Sequence, residues 1–193
     1  SLDLGATTMS TSGATSTLNL TGDSALTLAG TDTDIRTIDA SGMSTGGQVI
    51  QTAREATGAS TYTGSLGADT FIYNNSADVM VGGSGSDTLD INIAAILGGL
   101  SVDLSSTTNQ VVSLNGSTPS GSVTGFENAD ASGYTGSFGA LLTGSSAANT
   151  LTGTSNVDQI SGGAGADTVI GGAGADTVTT GSGADTVELA AIA

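Results

Sequence analysis

A nine-residue unit, written five times without a gap from residue 144 to residue 188, constrains this chain more than any other feature. Its clearest copies are Gly162-Gly163-Ala164-Gly165-Ala166-Asp167-Thr168-Val169-Ile170 and Gly171-Gly172-Ala173-Gly174-Ala175-Asp176-Thr177-Val178-Thr179. The copy at 180–188 carries Asp185 and Val187 in the matching places, and looser copies at 153–161 and 144–152 carry Asp158 and Asn149 at position six. Position eight is apolar throughout: Leu151, Ile160, Val169, Val178 and Val187. The same register runs through 64–72, 73–81 and 82–90, with Asp69, Asp78 and Asp87 at position six and Phe71, Met80 and Leu89 at position eight.

Such a unit has few ways to fold. Its glycines reach backbone angles closed to other residues, so the first six residues form a turn. The last three form a very short strand whose middle residue points inward. Two units make one coil of 18 residues, and equivalent turns then stack at the inter-strand spacing of roughly 4.8 Å. Asp167 therefore stacks with Asp185, Asp158 with Asp176, and Asp69 with Asp87. Two carboxylates about 5 Å apart repel by roughly 3 kcal/mol at an effective dielectric near 20. A hard cation that accepts six to eight oxygens, from carboxylates and carbonyls together, reverses that repulsion, and calcium is such an ion. The expected fold is all-β, a parallel β-roll or β-solenoid with calcium bound in stacked glycine-rich turns.

The rest of the composition narrows the function. Net charge is −16, with 18 acidic residues against Arg36 and Arg54 alone. That balance opposes nucleic acid and anionic membranes, which require basic patches. Cysteine and histidine are absent, so neither a zinc centre of the usual kind nor a Ser-His-Asp or Cys-His nucleophile is available. Lysine is absent too, which removes the Walker-type phosphate loop. No catalytic activity is expected. The longest apolar candidate for a membrane span, 91–102, is interrupted by Asn92, Gly98, Gly99 and Ser101. The first residues lack a basic region followed by an apolar core, so an export signal has been removed or is of another kind.

In chain order, 1–63 reads as a strand-rich, solenoid-like region, 64–90 as a first array, 91–143 as a β spacer and 144–193 as a second array with a tail. Leu18-Asn19-Leu20-Thr21 and Leu26-Thr27-Leu28 alternate as half-buried strands do. The stretch 48–59, with Val49 to Ala56 within it, reads as a strand in preference to one short helix, and Ile35 to Ile38 as a strand ending in a polar turn, Asp39-Ala40-Ser41-Gly42. Asp130-Ala131-Ser132-Gly133 echoes that turn before the second array. Within the spacer, 100–104 and 110–114 alternate, and Asn115-Gly116 can close a turn. Asp23, Asp32, Asp34, Asp103 and Asp130 are expected to cap turns or to be solvated. Thr168, Thr177 and Thr186 recur at repeat spacing and form a short threonine rank. The small, apolar tail 189–193 is expected to dock on another copy.

The nonamers, together with Gly99-Leu100-Ser101-Val102-Asp103-Leu104, Gly125-Phe126-Glu127-Asn128 and Leu151-Thr152-Gly153, resemble the RTX (haemolysin-type) calcium-binding repeat proteins. The Thr/Ala/Gly/Ser richness and Thr37-Ile38-Asp39-Ala40-Ser41-Gly42 are similar in style to bacterial RTX surface-layer proteins. The resemblance implies export by a one-step type I secretion system and folding outside the cell. It implies carboxylate ligands at Asp69, Asp87, Asp158, Asp167, Asp176 and Asp185. It also implies carbonyl ligands at Gly82, Ser84, Gly85, Gly162, Ala164, Gly165, Gly171, Ala173 and Gly174. Asn149 replaces an aspartate, and Asn74-Asn75-Ser76 replaces glycines below Asp78, so those two turns depart from the pattern. The leading functional expectation is an extracellular, calcium-dependent structural protein that self-assembles head to tail into a surface layer or fibre, with a cell-surface polysaccharide as a further expected partner. The alternatives are an adhesin and a non-catalytic calcium-binding secretion or folding region of a larger protein. Without calcium the chain is expected to be unfolded.

Overall fold

The structure is a computed structural model that describes residues 16–28, 35–44, 48–51, 58–93 and 98–188. Its strands follow the order β1 (Ser16–Gly22), β2 (Ala25–Leu28), β3 (Ile35–Met43), β4 (Gln48–Gln51), β5 (Thr61–Thr63) and β6 (Thr70–Tyr73). Next come β7 (Val79–Val81), β8 (Thr88–Ile91), β9 (Leu100–Asp103), β10 (Val111–Leu114), β11 (Ser122–Thr124) and β12 (Asn128–Asp130). β13 (Ala140–Thr143) ends the spacer, and the second array supplies β14 (Thr150–Thr152), β15 (Gln159–Ser161), β16 (Thr168–Ile170), β17 (Thr177–Thr179) and β18 (Thr186–Glu188). Among the described residues no helix is long and apolar enough to cross a membrane.

Successive nonamers alternate between two faces, as a coil of two units requires. One face is an eight-stranded parallel sheet in the order β2-β4-β6-β8-β12-β14-β16-β18. The other is made of two five-stranded sheets, β1-β3-β5-β7-β11 and β10-β9-β13-β15-β17. Within the arrays the pairing steps by 18 residues: Thr70 with Thr88, Leu151 with Val169, Val169 with Val187, and Ile160 with Val178. This is the expected all-β solenoid. Pairing also continues across the spacer, because Thr88 pairs with Asn128 and Ala129 with Leu151.

Inward position-eight residues make the core. Phe71, Met80, Leu89, Leu151, Ile160 and Val169 are buried, and Tyr62, Tyr73, Phe126 and Tyr134 join them. Phe71 lies 5.5 Å from the Tyr62 ring and meets Phe126 edge-on at 6.3 Å. Each such side chain contributes roughly 1.5–3 kcal/mol on burial. The core then thins: Val178 is half-buried, and Val187 is 41% exposed.

One excursion interrupts the winding. From β8 the chain runs ahead to β9, which pairs parallel with β13, and returns in β10, antiparallel to β9. Only then does it lay β11 beside β7. Asn115 and Gly116 close the expected turn after β10 with φ of 62° and 71°, the left-handed pair a tight two-residue loop demands.

Two sequence expectations are corrected. β3 continues through Asp39-Ala40-Ser41-Gly42 to Met43 with one extra residue bulged between Asp39 and Gly42, because pairing of Thr21 with Gly42 and Gly22 with Met43 keeps it on β1. Asp130-Ala131-Ser132-Gly133, by contrast, turns directly after β12. The threonine rank also divides: Thr168 pairs with Thr186, but Thr177 lies on the opposite face beside Gln159, since consecutive nonamers serve different sheets. The region before residue 16, Asp32, Asp34, Arg54 and the tail 189–193 lie outside the described residues.

Candidate metal centre

Position six immediately precedes each strand, so the acids collect in two ranks, one along each edge of the roll. Along the edge that feeds the eight-stranded sheet stand Asp69, Asp87, Glu127, Asn149, Asp167 and Asp185. Along the other stand Asp78, Asp158 and Asp176, with Gly121 and Gly139 preceding β11 and β13. The structure thus brings together the stacked pairs expected from the sequence: Asp69 with Asp87, Asp158 with Asp176, and Asp167 with Asp185.

Each acid is tied to the coil before it. The Asp69 N–H donates to Asp87 Oδ1 at 2.8 Å, Asn149 N–H to Asp167 Oδ1 at 2.9 Å, Asp158 N–H to Asp176 Oδ1 at 3.0 Å and Asp167 N–H to Asp185 Oδ1 at 3.1 Å. The second carboxylate oxygen turns inward over the first glycine of its own turn. A Cβ on Gly162 would stand 2.6 Å from Asp167 Oδ2 and 2.4 Å from the Thr180 carbonyl oxygen of the next turn. Gly82 is placed likewise under Asp87 Oδ2 at 2.8 Å. Only glycine leaves room for this close approach of oxygens.

Two of these oxygens have no partner. Asp87 Oδ2 and Asp167 Oδ2 are buried without a hydrogen bond, and both residues are at most 1% exposed. A buried carboxylate oxygen without a donor is costly. Among the described residues no hydrogen bond reaches the carbonyls of Gly82, Ser84, Gly85, Gly162, Ala164, Gly165, Gly171, Ala173 or Gly174 either. Over Gly82 and Gly162 the unpartnered Asp87 Oδ2 and Asp167 Oδ2 share their space with the Gly125 and Thr180 carbonyls, a carboxylate-and-carbonyl donor set that fits calcium. No group of three or more acidic side chains converges among the described residues, so backbone oxygens would have to supply most of the shell. Burial, with the nearby charges of Asp69 and Glu127 adding to it, pushes the Asp87 carboxyl up to about 7. Burial also raises Asp158, with a smaller push from Asp176.

Other turns satisfy their acids from within. Ser65 donates its N–H to Asp69 Oδ2 at 2.5 Å and its hydroxyl to both Asp69 oxygens. Thr154 does the same for Asp158, with N–H to Oδ2 at 2.8 Å and Oγ1 to Oδ1 at 2.9 Å. Ser145 serves Asn149 in this way. All three stand at position two, where the later turns carry Gly83, Gly163, Gly172 and Gly181, each with positive φ. The sequence reading grouped both kinds of turn together; the hydroxyl at position two was the signal that separates them.

The remaining acids are placed as follows. Asp103 and Asp130 cap turns, accepting from Ser105 and Ser132 N–H groups at 2.9 Å. Asp39 accepts from Ser41 N–H and Oγ, the hydroxyl bond being the larger influence holding its carboxyl below the usual range. Asp78 is buried and accepts from Ser60 N–H at 2.8 Å, although its turn lacks the glycines. Asn149 uses both ends of its amide, with Nδ2 donating to the Glu127 carbonyl at 2.6 Å, so it acts as a joint between coils. Glu127 has no counterpart among the expected ligands.

Residues 56–89, 134–169 and 152–187 match the family model of the RTX calcium-binding nonapeptide repeat (4 copies). No curated protein and no solved structure matches the chain. The matched stretches coincide with the turns just described, and repeats of this kind imply calcium binding. Over these stretches the chain matches the RTX calcium-binding nonapeptide repeat and folds as a parallel β-roll.

Proposed function

We propose that this chain is a calcium-set structural module that works outside the cell and assembles with copies of itself into a surface layer or fibre. The observation that carries the calcium half is the pair of buried, unpartnered oxygens, Asp87 Oδ2 and Asp167 Oδ2, over glycines that the Gly125 and Thr180 carbonyls also face, neither carbonyl accepting a hydrogen bond among the described residues. Calcium supplies the positive charge that lets these oxygens approach one another. Asp87, Asp167, Asp176 and Asp185 lead the proposed carboxylate ligands, with Gly82, Ser84, Gly85, Gly162, Ala164, Gly165, Gly171, Ala173 and Gly174 offering carbonyls. Asp69 and Asp158 contribute less, since Ser65 and Thr154 already hold them. Affinity in the range of roughly 10⁻⁴ to 10⁻³ M suits a chain that stays loose before export and sets outside. Secretion is typical of RTX repeat proteins and supports the extracellular placement.

Support for assembly comes from the last coil. β17 and β18 each end a sheet with no strand paired to their outer side among the described residues, and Val187 is 41% exposed there. Open strand edges recruit further strands. A net charge of −16 opposes contact between copies until cations neutralise part of it. Electron microscopy and light scattering in chelator and in millimolar calcium test the reading. Ordered arrays or fibres appearing with calcium are expected. A calcium-bound monomer that never assembles would leave the second reading, a non-catalytic calcium-binding region of a larger RTX protein, which the confinement of the family match to the repeats favours.

A further inference from the structure

Position six has a fixed task along each edge: its side-chain oxygen accepts the N–H of the residue at the same position one coil earlier. Within the arrays that acceptor lies 18 residues ahead. At the seam between the arrays the Asp87 N–H donates to Glu127 Oε2 at 2.9 Å, 40 residues ahead. The backbone around Glu127 keeps the phase of a nonamer. Val123 pairs with Met80, a position-eight residue, and the Thr124 carbonyl accepts from Gly82 N–H at 2.9 Å. The Val81 carbonyl accepts from Gly64 and the Thr179 carbonyl from Gly162 in the same way. The Gly125 carbonyl then faces Gly82, where a Cβ would stand 2.0 Å from it, as the Thr180 carbonyl faces Gly162. Gly125 therefore holds position one, and Glu127 position six, of a turn shortened by three residues. The added methylene of glutamate over aspartate restores the reach that the short turn gives up.

This turn is rigidly held. Phe126 is buried, and its N–H and carbonyl both bond the buried side chain of Gln110, at 3.0 and 2.8 Å. The Asn149 amide holds the Glu127 carbonyl from the far side. The Glu127 carboxylate itself has one hydrogen bond, from Asp87. Asp87 Oδ2, buried and unpartnered, lies over the same Gly82 that the Gly125 carbonyl faces, and the Glu127 charge acts on the Asp87 carboxyl. Two carboxylates and an unbonded carbonyl converge where no cationic side chain does.

We propose that Glu127, Asp87 and the Gly125 carbonyl form a calcium site at the seam, completed by a residue outside any nonapeptide and joining the first array to the second. This rests on the calcium reading above. Equilibrium dialysis against calcium, counting ions bound at saturation, tests it with wild type, Glu127→Gln, Asp87→Asn, the double variant and Asp167→Asn. Either amide keeps an oxygen to accept its backbone N–H, so the far-ultraviolet spectrum in calcium should stay unchanged. Glu127→Gln and Asp87→Asn should each lose the seam ion or bind it at least about tenfold more weakly, and the double variant should lose no more than Asp87→Asn. A Glu127→Gln protein that keeps every ion and affinity, while Asp167→Asn loses one, would overturn the seam site and leave the calcium turns standing. No binding by wild type would overturn both. Should Glu127→Gln fail to fold, glutamate-to-aspartate replacement serves in its place: the shorter side chain should weaken one ion only, and unaltered binding there overturns the proposal equally.

Discussion

Phe71 and Val187 occupy the same position of the repeat, yet the first is sealed from water and the second is 41% exposed. Around Phe71 the coils enclose Tyr62, Tyr73, Met80 and Phe126, and the Asp69 turn closes on its own Ser65. Around Val187 there is one small apolar residue per nonamer, and the turns at 162–167 and 180–185 have glycine where that serine stands. The same nine-residue phase thus supports two ways of holding a coil. Where the interior is filled, the backbone is fixed by apolar burial. Where it is nearly empty, ligands at the edges must do the fixing. The expectation of a wholly unfolded calcium-free chain is therefore revised to an uneven one.

Removing calcium should produce the largest contrast. In chelator, amides of β16, β17 and β18 should exchange hydrogen at least about 100-fold faster than in calcium, whereas those of β6 and β8 should change far less. Hydrogen exchange read by mass spectrometry checks this, and equal loss in both regions would erase the distinction.

Core truncation in saturating calcium should be next. Phe71→Ala should cost about 3–5 kcal/mol, as removal of a buried aromatic does. Val178→Ala, at a half-buried position, should cost about 1 kcal/mol or less. Denaturant midpoints measure both, and a Val178 effect as large as that of Phe71 would mean that the thin end also relies on its interior.

Acidity should give the smallest effect. Burial raises the Asp87 carboxyl from the ordinary carboxylate range to about 7 in the folded chain, so the fold binds this proton more tightly than the unfolded chain does. Its contribution is fully present below about 4 and is lost as pH rises through about 7. In chelator, the melting midpoint of the first-array coils should therefore climb by a few degrees as pH falls from about 7.5 to about 5. A midpoint that drops instead would show that Asp87 is not the controlling group.

Much of this was readable beforehand because the repeat has one phase. Position eight gave the inward residues, position six gave the stacked acids, and the 18-residue coil gave their partners. Glu127 escaped because its partner lies 40 residues away and its turn has lost three residues. The string Val123-Thr124-Gly125, an apolar residue followed by threonine and glycine as in Leu151-Thr152-Gly153, was the surviving phase marker. The reversal of β10 was illegible for another reason: alternation marks a strand but carries no direction. The split of the threonine rank followed from coil geometry and could have been seen by counting in eighteens rather than nines.

The three hydroxyl turns have a consequence for how the roll comes into being. Ser65, Ser145 and Thr154 stand in the earliest nonamer turn of their array on each edge where they occur, and each glycine turn that follows stacks directly on one of them or on its successor. Starting such a stack is the unfavourable step, since a first winding has no neighbour to lie on, and every later winding gains an interface. A first winding that closes by its own hydroxyl removes that nucleation barrier from the ion's task. Growth then proceeds in one direction, each new winding templated on the last, and the sharpness of the response to calcium reflects how many windings stand in line.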